Sequence, residues 1–233
     1  FDDGEEEVDD GIQNLDENDE NALIEDQERG HIVEDEYGWR TWRSQKIRTM
    51  RTGFAAYDDV LGALDGGRWA DPAPPRGTEK WPSPEWAWPE DVWPGEEIAL
   101  FKTGNNGSNA SDIAQGMCGT CYFLAAVQVI ATYPELLRSL LADYDEEAGV
   151  YCFRFYDDEE DERLVCVDCR IPVSSEYNNG QRPLFCRSRD KGELWPVLLE
   201  KAFAKAFGSY QKVAGGFTGA ALAKLLGRPE RNY

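Results

Sequence analysis

Residues 112–128 read Asp-Ile-Ala-Gln-Gly-Met-Cys-Gly-Thr-Cys-Tyr-Phe-Leu-Ala-Ala-Val-Gln, a glycine-rich turn running into an apolar stretch with Cys121 at the junction. A cysteine at the start of a helix feels the partial positive charge of unsatisfied backbone N–H groups. That field favours the thiolate and can lower a thiol pKa from about 8.5 into the range of roughly 3.5–7.5. Gly116 and Gly119 allow backbone geometry that a Cβ would forbid. Gln115, six residues before the thiol, offers a side-chain amide that can stabilise an oxyanion. The chemistry these residues suit is acyl transfer through a thiol nucleophile.

The elements that must hold this thiol can be read on both sides of it. Phe123, Leu124, Val127 and Ile130 predict a buried helix from Cys121, broken at Thr132-Tyr133-Pro134 and followed by a second helix carrying Leu136, Leu137, Leu140 and Leu141. Residues 149–155 and 163–171 read as two strands around an acidic turn at 157–162, a hairpin. Residues 192–210 predict a long helix with Leu198, Leu199, Ala202, Phe203 and Ala206 on one buried stripe and Gly208 as its stop. Upstream of the turn, 98–102 read as a short strand and 104–109 as a polar loop.

Residues 115–126, Gln-Gly-Met-Cys-Gly-Thr-Cys-Tyr-Phe-Leu-Ala-Ala, resemble the nucleophile segment of the papain-like cysteine proteases, and within them the calpains. The papain form Cys-Gly-Ser/Ala-Cys-Trp/Tyr is matched by Cys118–Tyr122 except at Thr120. Calpains usually carry Asp there and Trp at the next position, so Thr120 and Tyr122 are departures. A mature papain-type enzyme has this motif near its N-terminus, whereas 114 residues precede Gln115, which favours the calpain branch. Leu164-Val165-Cys166-Val167-Asp168-Cys169-Arg170-Ile171-Pro172 is similar to a calpain run ending Asp-Asp-Arg-Leu-Pro, with Cys169 replacing the second Asp. Residues 192–210, followed by Gly215-Gly216, are similar to the calpain helix that precedes a Gly-Gly turn.

The resemblance implies an α+β, papain-like calpain core: a helix-rich first subdomain with a small antiparallel sheet, behind a largely irregular N-terminal extension. It implies Cys121 and Gln115 as catalytic residues of an endopeptidase acting on protein substrates. It also implies a regulatory Ca²⁺ held by Gly107 and Asp112, with Glu193 as a further candidate, and no organic cofactor; the oxygen-rich loop suits Ca²⁺ and equally suits an ordinary surface turn. The resemblance runs from about Ile98 to Pro229 and omits the half of the site that carries a general-base histidine. His31 is the only histidine in the chain and lies in an acidic stretch, so this chain alone is not expected to cleave peptides. The alternative is a catalytically silent module docking to partners in a larger, for example cytoskeletal, assembly.

Composition bounds these readings. A net charge of −21, from 24 basic and 45 acidic residues, argues against nucleic acid and anionic membrane as main partners. No run of about 18 apolar residues and no signal-like segment is present. Six cysteines without a secretory signal read as mostly reduced thiols of a cytoplasmic protein. The chain opens on Phe1, which points to a piece of something longer.

Three segments follow from composition: 1–36, 37–95 and 96–233. The first holds 17 acidic residues against one basic, Arg29, and is expected to lack fixed structure, as a solvating tail, a docking segment or a weak Ca²⁺ buffer. Residues 37–51 interleave five cations with Trp39, Trp42, Ile47 and Met50 and predict a short basic amphipathic helix. Residues 71–94 hold seven of 12 prolines and four of eight tryptophans, an extended strap needing a surface on which to bury its indoles.

The thiols also suit rival chemistries. Cys118/Cys121 and Cys166/Cys169 would together supply four zinc thiolates, but 44 residues separate the pairs and the second lies in a strand, where side chains three apart face opposite ways. A redox pair at Cys118 and Cys121 suits a helix start, though no strand-helix-strand pattern surrounds it. An inert Cys121 in a relic fold is the remaining alternative.

Overall fold

In a computed structural model of the chain, the residues described are 64, 67–102, 113–158 and 161–227, with the backbone of 32–34 and 40–42. The chain divides into two compact units, Phe1–Trp42 and Arg43–Tyr233.

In the first unit β1 (Ile32–Glu34) pairs antiparallel with β2 (Arg40–Trp42), Val33 opposite Thr41. The helix expected across 37–51 is therefore replaced at 40–42 by a strand, and a strand also occurs within the acidic stretch. β-branched and aromatic residues at Ile32, Val33, Thr41 and Trp42 favour strand pairing over the 3.6-residue pattern. The remainder of both expectations, 1–31, 35–39 and 43–51, lies outside the described residues.

The second unit combines helices with small antiparallel sheets. Its elements are β3 (Glu85–Ala87), α1 (Pro89–Val92), β4 (Ile113–Ala114), α2 (Cys121–Ala131), α3 (Pro134–Ser139), β5 (Leu141–Asp145), β6 (Val150–Tyr156), β7 (Glu162–Asp168), β8 (Ile171–Val173), β9 (Arg187–Ser188), α4 (Trp195–Ala206) and α5 (Thr218–Leu226). β5, β6 and β7 form a three-stranded meander, β3 pairs with β8, and β4 pairs with β9. α4 packs on β6 and β7, α5 on β6, and α2 on α5, so the helix that begins at Cys121 lies over the main core. Phe123 of α2 stacks on Phe203 of α4 at 4.2 Å between centroids.

The expected hairpin is present, with Tyr156 opposite Glu162. Its turn is fixed by Asp157, which accepts the Asp161 N–H and pairs with Arg163. Three local expectations are corrected. α3 ends at Ser139, and Leu141 opens β5 opposite Phe153, because 141–145 finds a partner strand in β6. Strand 163–171 breaks at Cys169-Arg170, after which Ile171–Val173 turns to pair with the strap. Residues 98–102 make one parallel bridge, Ala99 to Glu193, rather than a strand.

The strap is fastened by charge as well as by its indoles. Lys205 on α4 reaches Asp71 at 2.5 Å and the Cys166 carbonyl at 2.9 Å. Lys201, one turn earlier and fully buried, donates to the Asp168 carboxylate and to the carbonyls of Asp168 and Arg170. Trp86 covers the Lys201 ammonium at 4.6 Å and Trp69 lies 5.6 Å from that of Lys205. α4 is consequently buried on every face, not along one stripe. Burial pushes the Asp168 carboxyl up, but the Lys201 ammonium, the Asp71 N–H and the Arg170 guanidinium together outweigh it and hold the group below its ordinary value.

Of the six cysteines, Cys152 and Cys166 face each other across β6 and β7 and form a disulfide, while Cys118, Cys121, Cys169 and Cys186 are free thiols. The reduced-thiol reading holds for these four only. With Cys166 in the disulfide, four zinc thiolates cannot assemble. Among the described residues no helix is long and apolar enough to cross a membrane.

Candidate active site

Cys121 is the first residue of α2 and its thiol is exposed, although the helix behind it is packed into the core. The turn that delivers it is built by close approach. A Cβ on Gly116 would lie 1.9 Å from the Phe185 carbonyl oxygen, so only glycine lets the turn pass, and the Met117 N–H donates to the Leu184 carbonyl at 2.9 Å. On the other side the Gly215 N–H donates to the Gly119 carbonyl at 2.8 Å. A Cβ on Gly216 would meet the Tyr122 ring at 2.7 Å. The Tyr122 hydroxyl donates to the Val213 carbonyl at 3.1 Å, so this departure from Trp has a polar partner of its own.

Thr120, immediately before Cys121, is the N-cap of α2, yet its hydroxyl does not cap the helix. A threonine there usually accepts an N–H of the first turn. Here its Oγ1 donates instead to Glu200 Oε1 at 2.5 Å, and Glu200 Oε2 accepts the Cys186 N–H at 2.7 Å. The first-turn N–H groups of α2, that of Cys121 included, receive no side-chain cap. An uncapped helix start is a ready binding place for negative charge. Burial lifts the Glu200 carboxyl to about 7, despite the two donors that pull it down. Sequence reasoning passed over Glu200; the available signal was a carboxyl embedded among the apolar residues of 195–206.

Gln115 is exposed, and its Nε2 donates to the Cys118 carbonyl at 2.9 Å, which fastens the amide to the nucleophile turn and leaves a second amide proton. Cys118 is a buried partner in this turn, donating to the Tyr210 carbonyl at 3.3 Å. Burial, then the Glu200 charge, push its thiol up to about 12. A neutral, enclosed Cys118 beside an exposed Cys121 separates their roles and does not suit an exchanging redox pair. Cys169, standing where the resemblance has Asp, receives the Arg68 guanidinium at 3.0 Å from its sulfur; burial still leaves its thiol raised.

Of the three calcium candidates, Glu193 alone is among the described residues; Gly107 and Asp112 are not. Glu193 is buried, its Oε1 accepting the Lys102 N–H at 3.2 Å and its Oε2 the Ser188 hydroxyl at 2.5 Å. Both Glu193 oxygens are thus oriented by donors of the protein itself. Among the described residues no group of three His, Cys, Asp or Glu is gathered for a metal. His31 also lies outside them.

A family model described as "Calpain family cysteine protease" matches residues 69–233, so the match takes in the whole strap as well as the Cys121 turn. The calpain-type cysteine protease ADL1 of Oryza sativa subsp. japonica is 39% identical over 119 residues, 51% of this chain and 5% of that protein. Calpain-5 of Mus musculus is 33% identical over 132 residues, 52% of this chain and 20% of its own length. The calpain-2 catalytic subunit of Gallus gallus is 38% identical over 116 residues, 48% and 16% respectively. The chain thus spans between about a twentieth and a fifth of the relatives it matches. With a family match over most of its length, the chain belongs to the calpain family of cysteine proteases.

Proposed function

We propose that this chain supplies the nucleophile half of a papain-like cysteine endopeptidase site. Cys121 attacks the carbonyl of a substrate peptide bond and forms a thioester. The Gln115 amide and the Cys121 backbone N–H hold the oxyanion. A histidine outside this chain takes the thiol proton and returns it to the leaving amine. The observation that carries this reading is the exposed Cys121 at an uncapped helix start, on a turn held by Glu200, Tyr210, Val213 and Gly215. Such rigidity is what a positioned nucleophile requires.

A calcium ion would be held by Glu193 together with Gly107 and Asp112, the residues the calpain resemblance implies. Glu193 would contribute the buried anionic oxygen, its orientation set by Ser188 and Lys102. The departures at Thr120 and Tyr122 do not by themselves favour a silent module, because each is accommodated by a specific hydrogen bond.

The test is labelling of the full-length protein, with the histidine-bearing half of the site present, by a peptidyl epoxide at pH 6–7, located by peptide mass. Selective modification of Cys121 over Cys118, Cys169 and Cys186, much faster than that of glutathione, is expected. A Cys121 no faster than glutathione would leave a calpain-shaped docking module.

A further inference from the structure

Beside Gln115 lies a cavity of about 980 Å³ whose rim carries Arg182, Arg187, Arg189 and Lys191 against one carboxylate, Glu96. In a chain of net charge −21 this is a local reversal of sign. The cations are unequally occupied. Arg187 donates to the Gln115 carbonyl at 3.3 Å, which joins the cavity to the nucleophile turn. Lys191 and Glu96 are 3.8 Å apart and both open to solvent. Arg182 and Arg189 make no hydrogen bond or ion pair with the described residues. Trp93 and Ile113 provide an apolar floor between these charges.

Concave walls of low dielectric focus the field of the charges that line them. Free guanidiniums present a planar fork that fits a carboxylate with two parallel hydrogen bonds. The volume accommodates several residues of an extended peptide rather than one small ion. A nucleic acid or an anionic membrane would meet the repulsion of the whole chain, whereas a short acidic peptide would bring only its own few charges into the cavity.

We propose that this cavity is a subsite for acidic side chains, Asp or Glu, of a peptide whose neighbouring bond is presented to Cys121. The location rests on the reading of Cys121 as the nucleophile; the acidic preference rests on the cavity alone.

Two measurements on the full chain separate these. The first is fluorescence anisotropy with a labelled ten-residue peptide carrying three Glu at one end, compared with its Gln isomer. The Glu peptide is expected to bind about ten-fold more tightly in low salt, the equivalent of about 1.4 kcal/mol. The preference should vanish in Arg182→Glu/Arg189→Glu and persist in Lys80→Glu/Lys212→Glu, which alters net charge equally outside the cavity. Both replaced arginines reach solvent, and thermal melts check that the variant folds. Equal binding of the two peptides, or a preference that survives Arg182→Glu/Arg189→Glu, overturns the proposal. The second gives both peptides a C-terminal epoxide and follows Cys121. Faster labelling by the Glu form supports the subsite. Tight binding without faster labelling, where a small epoxide does label Cys121, overturns its placement beside the nucleophile. If the small epoxide also fails, the reading of Cys121 falls, and the anisotropy still decides the acidic preference.

Discussion

Thr120 and Glu200, 80 residues apart in sequence, meet through a buried 2.5 Å hydrogen bond directly behind Cys121. The contact ties the residue preceding Cys121 to the middle of α4 and diverts the threonine from capping its own helix.

Glu200 should give the protein a distinctive pH response. Its carboxyl is lifted from 4.5 to about 7 in the folded state, mainly by burial. Between those values the native state holds a proton that the unfolded state has lost, so stability falls as pH rises from about 4.5 to about 7. The shift corresponds to roughly 3 kcal/mol. Urea unfolding at intervals from pH 4 to 8 should show this decline in the wild type and a much flatter profile in Glu200→Gln. Parallel profiles would remove Glu200 as the cause.

Replacing Thr120 by Val leaves one Glu200 oxygen without its donor and should cost about 1–3 kcal/mol. Thr120→Ser should recover most of it. Peptidyl-epoxide labelling of Cys121 should follow the same order, slowing several-fold in Val and returning in Ser. If Thr120→Val labels at the wild-type rate, the hydroxyl does not position the turn.

Asp168 has the opposite linkage. Against the effect of burial, its carboxyl is held below its ordinary 3.8 by Lys201, the Asp71 N–H and Arg170. Its stabilisation is therefore present above pH 3.8 and lost as pH falls through the folded value. Asp168→Asn leaves the Lys201 ammonium buried without its counter-charge and should cost about 3–5 kcal/mol at pH 7. Asp168→Leu/Lys201→Met should be less damaging than the single change. Chemical denaturation of the three proteins decides this; additive losses would contradict the pairing.

Thiol titration in denaturant should find four reactive sulfhydryls before reduction and six after it, with Cys152 and Cys166 joined in the peptide map. The bridge closes a span of 14 residues, for which chain entropy predicts a contribution of about 3 kcal/mol. Cys152→Ser/Cys166→Ser should lower the urea midpoint accordingly. Six free thiols without reductant would refute the pairing.

Much of the site was legible because its signals are local. Cys121 at a helix start, the break at Pro134 and the hairpin all follow from neighbouring residues. What escaped was set by pairing at a distance. A disulfide between Cys152 and Cys166 depends on the turn length, since only Tyr156 opposite Glu162 brings Cys152 opposite Cys166. Leu141 fits a helical pattern as well as a strand until β6 is present to choose. Glu200, Lys201 and Lys205 resemble a polar helix face in sequence; the strap and the nucleophile turn bury them.

The partners of the nucleophile turn, Glu200, Tyr210, Val213 and Gly215, all lie far downstream of Cys121. A ribosome adding about 5–20 residues per second needs roughly 5–20 s to travel from Cys121 to Gly215. Until that interval ends the thiol lacks the scaffold that orients it. Order of synthesis thus delays assembly of the reactive geometry until the chain that encloses it exists.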